Sequence, residues 1–170
     1  MAIGQITVRG QSFWTLRELL RPGLKAVFVG LNPSPRSVEL GHYYQGRHGK
    51  RFWNRLRKHH IIQDLPSTAE DDVAFERHYG FADLVRRPTI SSKELDRVEL
   101  LEAVHDLAFR LKQTNDYPSI IFTYKDPWTL AGPHLAEVGY QILRFPGPYM
   151  KKNLADAMMV ELQIKLGIAN

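Results

Sequence analysis

From residue 26 the chain reads Ala26-Val27-Phe28-Val29, apolar at every position, and then breaks at Gly30-Leu31-Asn32-Pro33. An unbroken apolar run of this length is the pattern of a strand buried on both faces, and Gly-Leu-Asn-Pro is a turn signal. Three further stretches read as strands: Phe81–Val85, an apolar run with Asp83 as its polar member, Ser119–Tyr124 and Tyr140–Phe145. Residues 5–8 suggest one more short strand. Between these runs the apolar period changes from two to about 3.6. Leu95, Val98, Leu101, Val104, Ala108 and Leu111 mark one helix, and Leu154, Met158, Leu162 and Leu166 another. Asp126-Pro127-Trp128 opens a helix to about Val138. Arg51–Leu56 opens a basic amphipathic one, with Phe52, Trp53 and Leu56 as its core face. Ser67-x-x-Glu70 and Ser91-x-x-Glu94 read as capping boxes, the first starting a helix to about Tyr79. Thr15 to Leu20 reads as a short helix with Thr15 as N-cap.

Strands alternating with helices predict an α/β fold: a three-layer sandwich with a central, mostly parallel sheet of about four strands and helices on both faces. The length, 170 residues, fits a single domain over 1–170. Residues 33–50 read as a long loop with Pro33, Pro35, Gly41, Gly46 and Gly49, and loops of that length in compact domains are often functional. In open α/β sheets ligands bind beyond the carboxyl ends of strands. Asn32 and Asp83, polar residues at two such ends, are therefore candidates for chemistry. The plainer reading of Asn32 is that it makes the turn; for Asp83, that it caps a turn or pairs with Arg86 or Arg87.

The absence of cysteine from the sequence removes disulfides and thiolate metal sites and fits a reducing, cytoplasmic setting, nucleoid-associated in a bacterium. Neither a signal peptide nor a membrane span is expected. Net charge is +5, and it is unevenly placed: Arg36 to Lys58 holds seven basic residues against one acid, Glu39. Such a stretch is either a solvated face or a phosphate-contacting surface. His59 and His60 are adjacent, so on a helix they face different ways, and no third ligand is spaced for a metal. No metal or cofactor is expected.

Several of these segments together resemble the mismatch-specific uracil/thymine-DNA glycosylase branch of the uracil-DNA glycosylase superfamily. They are Leu20-Arg21-Pro22-Gly23-Leu24 leading to Gly30-Leu31-Asn32-Pro33, then Gly41-His42-Tyr43-Tyr44, Phe52-Trp53, and Tyr79 to Thr89 followed by Ser91–Leu95. The resemblance implies hydrolytic removal of a base from double-stranded, damaged or mismatched DNA by a monomer. Asn32 falls on the catalytic asparagine, and Tyr44 on the aromatic that stacks on the extruded base. Gly30, Leu31, Tyr43 and Asp83 fall in the base pocket. Tyr149, with Met150 beside it, falls on the wedge that fills the vacated stack. Arg47, Lys50, Arg51 and Lys151 are the phosphate contacts this implies. The sequence departs from the family at Gly147 and Tyr124, where the family has Ser and Gly, and at Tyr149, where the wedge is usually smaller and aliphatic. These departures keep a second expectation open, a non-catalytic nucleic-acid-binding relative of the same fold. A nucleoside hydrolase is a third, and it leaves the basic stretch without a use.

Overall fold

The structure, a computed structural model, describes residues 3–168; the end residues of the expected domain, 1–2 and 169–170, lie outside it. Its centre is a four-stranded sheet, wholly parallel, formed by β3 (Ala26–Gly30), β4 (Tyr79–Asp83), β5 (Ser119–Phe122) and β6 (Ile142–Arg144) in the order β4-β3-β5-β6. Every residue of β3 and β4 is buried. Alternation along β3 divides the core into two layers. Ala26 and Phe28 pack with Phe81, Ile121 and Leu143 beneath Phe52, Trp53 and Leu56 of α2 (Gly46–Lys58) and Met159 and Leu162 of α6 (Lys152–Lys165). Val27 and Val29 pack with Ile120 and Phe122 on the other face, under Leu107 and Leu111 of α4 (Arg97–Leu111) and Ala131 and Leu135 of α5 (Lys125–Val138). Each large side chain so buried contributes about 1.5–3 kcal/mol, so both faces need their helices. The expected three-layer arrangement is present.

The amino-terminal segment differs from expectation. Residues 15–20 are not a helix: Thr15 and Leu16 end β2 (Gln11–Leu16), which pairs antiparallel with β1 (Ile3–Val8). Arg9 and Gly10, both at positive φ (50° and 79°), make the two-residue hairpin turn that suits strand twist. Ile6, Phe13 and Thr15 share one face, the alternation of a strand. Past the hairpin, Leu19 exchanges backbone hydrogen bonds with Phe81, covering the free edge of β4.

Residues 33–50 are not one loop. They hold α1 (Pro35–Leu40), with Ser34 as N-cap accepting from the Ser37 N–H, Pro35 in its first turn and Gly41 at φ 71° as its stop. The helix α2 begins at Gly46 rather than Arg51, leaving residues 41–45 as the connection. Ser67 does not cap α3 (Glu70–Glu76); Ala69 occupies the cap at φ 52°, because the Glu70 carboxylate turns to Arg57 instead (2.8 Å). The helix stops at Glu76, and β4 starts at Tyr79, earlier than the expected residue 81. The Ser91–Glu94 box is real, but it caps only a 3₁₀ turn at Ser92–Glu94. An extended Leu95 interrupts, and Asp96 caps α4 through the Glu99 N–H (2.8 Å).

Candidate functional site

At the carboxyl ends of β3 and β4 the chain forms a cleft of about 160 Å³ lined by Gly30, Leu31, Asn32, Tyr43, Tyr44 and Asp83, with Arg47, His48 and Tyr124 at its sides. This is well below the about 300–1,000 Å³ of drug-sized ligand sites and suits a single small ring system. A larger cleft, about 510 Å³, lies between α4 and α5, lined by His105, Phe109, Tyr117 and His134. It is away from the strand ends where open sheets bind ligands.

Parallel pairing places Gly30 opposite Asp83. The ladder continues past the strands: the Leu84 N–H donates to Gly30 O (2.9 Å) and the Val85 N–H to Leu31 O (2.8 Å). Asn32 leaves β3 directly beside the chain leaving β4. Its amide nitrogen donates to Arg87 O (2.9 Å) and Thr89 Oγ1 (2.8 Å). A backbone carbonyl can only accept, so the NH₂ group must be the side turned to Arg87. Both amide hydrogens are thereby used, and Oδ1, an acceptor, is the atom left over.

Asp83 is only 6% exposed. Among the described residues no hydrogen bond or ion pair reaches its carboxylate: Arg87 pairs with Glu99 (2.8 Å to each oxygen). Burial without a compensating partner pushes its pKa up to about 7. Its backbone is fixed from the far side of the sheet, where Arg110 donates to Asp83 O (3.0 Å) and Leu84 O (2.9 Å) and pairs with Glu18 and Asp106.

Tyr44 is at φ 53° and half-buried. Its ring stacks on Phe52 (centroids 4.0 Å apart, 23° between planes), so that face is closed to a ligand. Thr123 Oγ1 gives its one hydrogen to Val29 O (3.2 Å), so the Tyr44 hydroxyl is the donor in the Tyr44–Thr123 contact (3.1 Å). The strained backbone at Tyr44 is enforced by α2: a Cβ on Gly49 would overlap the Tyr44 carbonyl, and the Trp53 indole donates to that same carbonyl (3.1 Å). Gly30 is needed for a similar reason, since a Cβ there would collide with Asp83 Oδ1 and lie 3.3 Å from the Tyr44 hydroxyl. Tyr43 is buried against Phe81, and its N–H donates to Asp71 (2.8 Å). The same aspartate meets His42 Nδ1 (2.8 Å). With Asp72 these make the group of side chains that could hold a cation, all ligand atoms lying within 4.8 Å. Their present role is to anchor the turn that carries Tyr43 and Tyr44.

The last loop stands beside this cleft. Tyr149 is 81% exposed and Met150 half-buried. Arg51 donates to Pro148 O (2.9 Å), and Arg55 to Pro146 O and Gly147 O (2.7 and 2.9 Å). The Tyr149 hydroxyl shares a hydrogen bond with His48 Nε2 (3.1 Å). So Arg51 braces the loop as well as facing solvent, while Arg47, Lys50 and Lys151 are exposed. The structure thus gathers Gly30, Leu31, Asn32, Tyr43, Tyr44 and Asp83 into one cleft, with Arg47 at its rim and Tyr149 on the neighbouring loop. Reasoning from sequence missed Thr89, Thr123 and Arg110. Thr89 follows an Arg-Arg-Pro stop and has no periodic signal; Thr123 meets the Tyr44 hydroxyl and Arg110 the Asp83 and Leu84 carbonyls, long-range contacts that sequence patterns do not reveal.

A sequence model of the uracil DNA glycosylase superfamily matches residues 18–156.

Proposed function

The chain belongs to the uracil DNA glycosylase superfamily, whose members are typically DNA glycosylases, and from that premise we propose that it removes uracil, or a related deaminated or mismatched base, from double-stranded DNA by hydrolysis. We place it in the mismatch-specific branch. The observation that carries the reading is the Asn32 amide, held through its nitrogen by two hydrogen bonds in the lining of a cleft sized for one small ring system.

A base inside a duplex must be rotated out before chemistry, at a cost of a few kcal/mol. Tyr149, exposed on a loop that Arg51 and Arg55 brace, is the group that fills the vacated stack, with Met150 beside it. Arg47, Lys50, Arg51 and Lys151 contact phosphates, so binding weakens with salt. The face of Tyr44 turned away from Phe52 receives the flipped base.

Asn32 has no useful proton affinity, so it is not a general base. Its Oδ1 accepts a hydrogen from water and holds that water against the sugar carbon, a contribution of orientation; the new carbon–oxygen bond forms as the bond to the base breaks, the base leaves with the electron pair, and the water's surplus proton passes to solvent. Such a site needs a base that leaves readily as an anion, which uracil does. The backbone N–H groups of Leu31 and Ser34, in the turn around Asn32, stabilise the departing charge; Pro33 has none to offer. Asp83 faces the base. Protonated, it donates a hydrogen bond to a carbonyl; ionised, it accepts from a ring N–H. With its pKa near 7, both states are accessible around neutrality.

The test is base release from duplexes carrying uracil, ethenocytosine, hypoxanthine or xanthine, opposite matched and mismatched partners, scored as alkali-labile breaks. Release by the wild type and not by Asn32→Ala is expected, with uracil opposite guanine among the substrates. DNA binding without release from any of these duplexes would leave the non-catalytic relative as the better reading.

A further inference from the structure

The hairpin β1–β2 precedes the region matched by the superfamily model, yet its residues reach the backbone that orients Asn32. We propose that this hairpin is a positioning clamp for Asn32, acting through residues 86–89, and that Thr15 is its principal positioning residue. The proposal rests on the glycosylase reading for its kinetic consequence but not for its structural one.

The chain of contacts is short. Asn32 is held by Arg87 O and Thr89 Oγ1. The carbonyl one residue earlier, Arg86 O, accepts from Thr15 Oγ1 at 2.5 Å. Thr15 is fully buried, so this bond has no competing water. The segment is therefore held at Arg86 by the hairpin and at Arg87 by the asparagine. Arg87 is fixed in turn: its guanidinium makes a two-pronged pair with Glu99, donates to Glu94 O (3.1 Å) and lies 5.9 Å over the Phe13 ring, next but one to Thr15 on the same hairpin face. At the hairpin's turn, Arg9 pairs with Asp96 (2.7 Å), the N-cap of the helix that supplies Glu99. Leu16, the last residue of β2, lines the cleft itself. The hairpin and the first turn of α4 thus hold residues 86–89 from two directions, and Asn32 takes its orientation from what they hold.

Orientation is the part of the mechanism assigned to Asn32, so loosening the clamp must slow chemistry without weakening DNA binding. Two variants test this. Thr15→Val keeps shape and removes the hydroxyl; Thr15→Ser keeps the hydroxyl. In single-turnover base release at saturating protein, Thr15→Val should be slower by about 10- to 100-fold, with DNA affinity unchanged and with Thr15→Ser close to wild type. In the free protein, the Asn32 side-chain amide resonances, assigned by their loss in Asn32→Ala, should shift and exchange faster with solvent in Thr15→Val but not in Thr15→Ser. If Thr15→Val does not fold, Phe13→Leu, which removes the ring beneath Arg87, takes its place with the same two measurements. Unchanged Asn32 amide resonances in these variants overturn the clamp whether or not the protein has glycosylase activity. Shifted resonances in a protein that releases no base uphold the clamp and reject the glycosylase reading instead. A rate loss matched by an equal loss of DNA affinity also overturns it.

Discussion

Replacing Asp83 with Asn changes one buried group and leaves its shape almost intact. In the folded protein Asp83 holds its proton up to about pH 7, whereas the unfolded chain releases it near 3.8. Between those values the native state binds more protons than the unfolded state, so stability falls as pH rises. Below about pH 4 both states are protonated and the penalty is absent; above about pH 7 it is complete. At about 1.4 kcal/mol per tenfold change in proton affinity, the full penalty is on the order of 4 kcal/mol. The amide of Asp83→Asn does not titrate. The variant should match the wild type at acid pH and exceed it progressively from about pH 4 to 7. For a chain of this size that difference corresponds to a Tm rise of about 8–16 °C at the alkaline end. Urea unfolding of both proteins from about pH 4 to 8 reads the effect, because contributions from the other groups cancel in the difference. A difference constant to within about 0.5 kcal/mol over that range would mean instead that the Asp83 carboxylate is solvated in the native state. The same proton should appear in activity, with base release by the wild type changing near pH 7 and that change absent from Asp83→Asn.

Three further outcomes follow from the contacts. Gly49→Ala drives a Cβ into the Tyr44 carbonyl and should cost about 3 kcal/mol, read by urea unfolding. Arg55→Ala removes two hydrogen bonds to the Pro146 and Gly147 carbonyls; it should destabilise the protein by about 1–3 kcal/mol and weaken binding to duplexes through a looser Tyr149 loop, read by fluorescence anisotropy. Lys50→Ala should lower the slope of log affinity against log salt by about 0.9, and an unchanged slope would remove Lys50 from the phosphate contacts.

The layers of the fold were legible because each strand of the sheet stood out as a mainly apolar stretch bounded by turn signals, and the longer helices by a change of period or a start signal. The amino-terminal hairpin was misread because Thr15 satisfies the local rule for an N-cap, while pairing with residues 3–8 and a bond to Arg86 O, both tertiary, override it. The helix α1 was hidden by Pro35 and Gly41, which mark its first turn and its stop rather than a loop. Ser67 failed as a cap because Glu70 had a better partner in Arg57. At the site, Asn32, Tyr44 and Asp83 could be picked out because they sit at or just beyond strand ends or in the turn beside them. The alternative that Asp83 pairs with Arg86 or Arg87 was undecidable from sequence; among the described residues no ion pair reaches its carboxylate, and Glu99 takes Arg87 from a helix twelve residues away. What holds Asn32 in place was invisible, since a backbone carbonyl and a threonine after a proline leave no pattern.

Asn32, on the proposed mechanism, orients the water that releases the base. Single-turnover release of uracil from a guanine-mismatched duplex, with wild type and Asn32→Ala at protein concentrations saturating for each, tests it most directly. Release by the wild type and a loss of about 100-fold or more in Asn32→Ala are expected, with DNA affinity retained. Equal rates in the two proteins would contradict it.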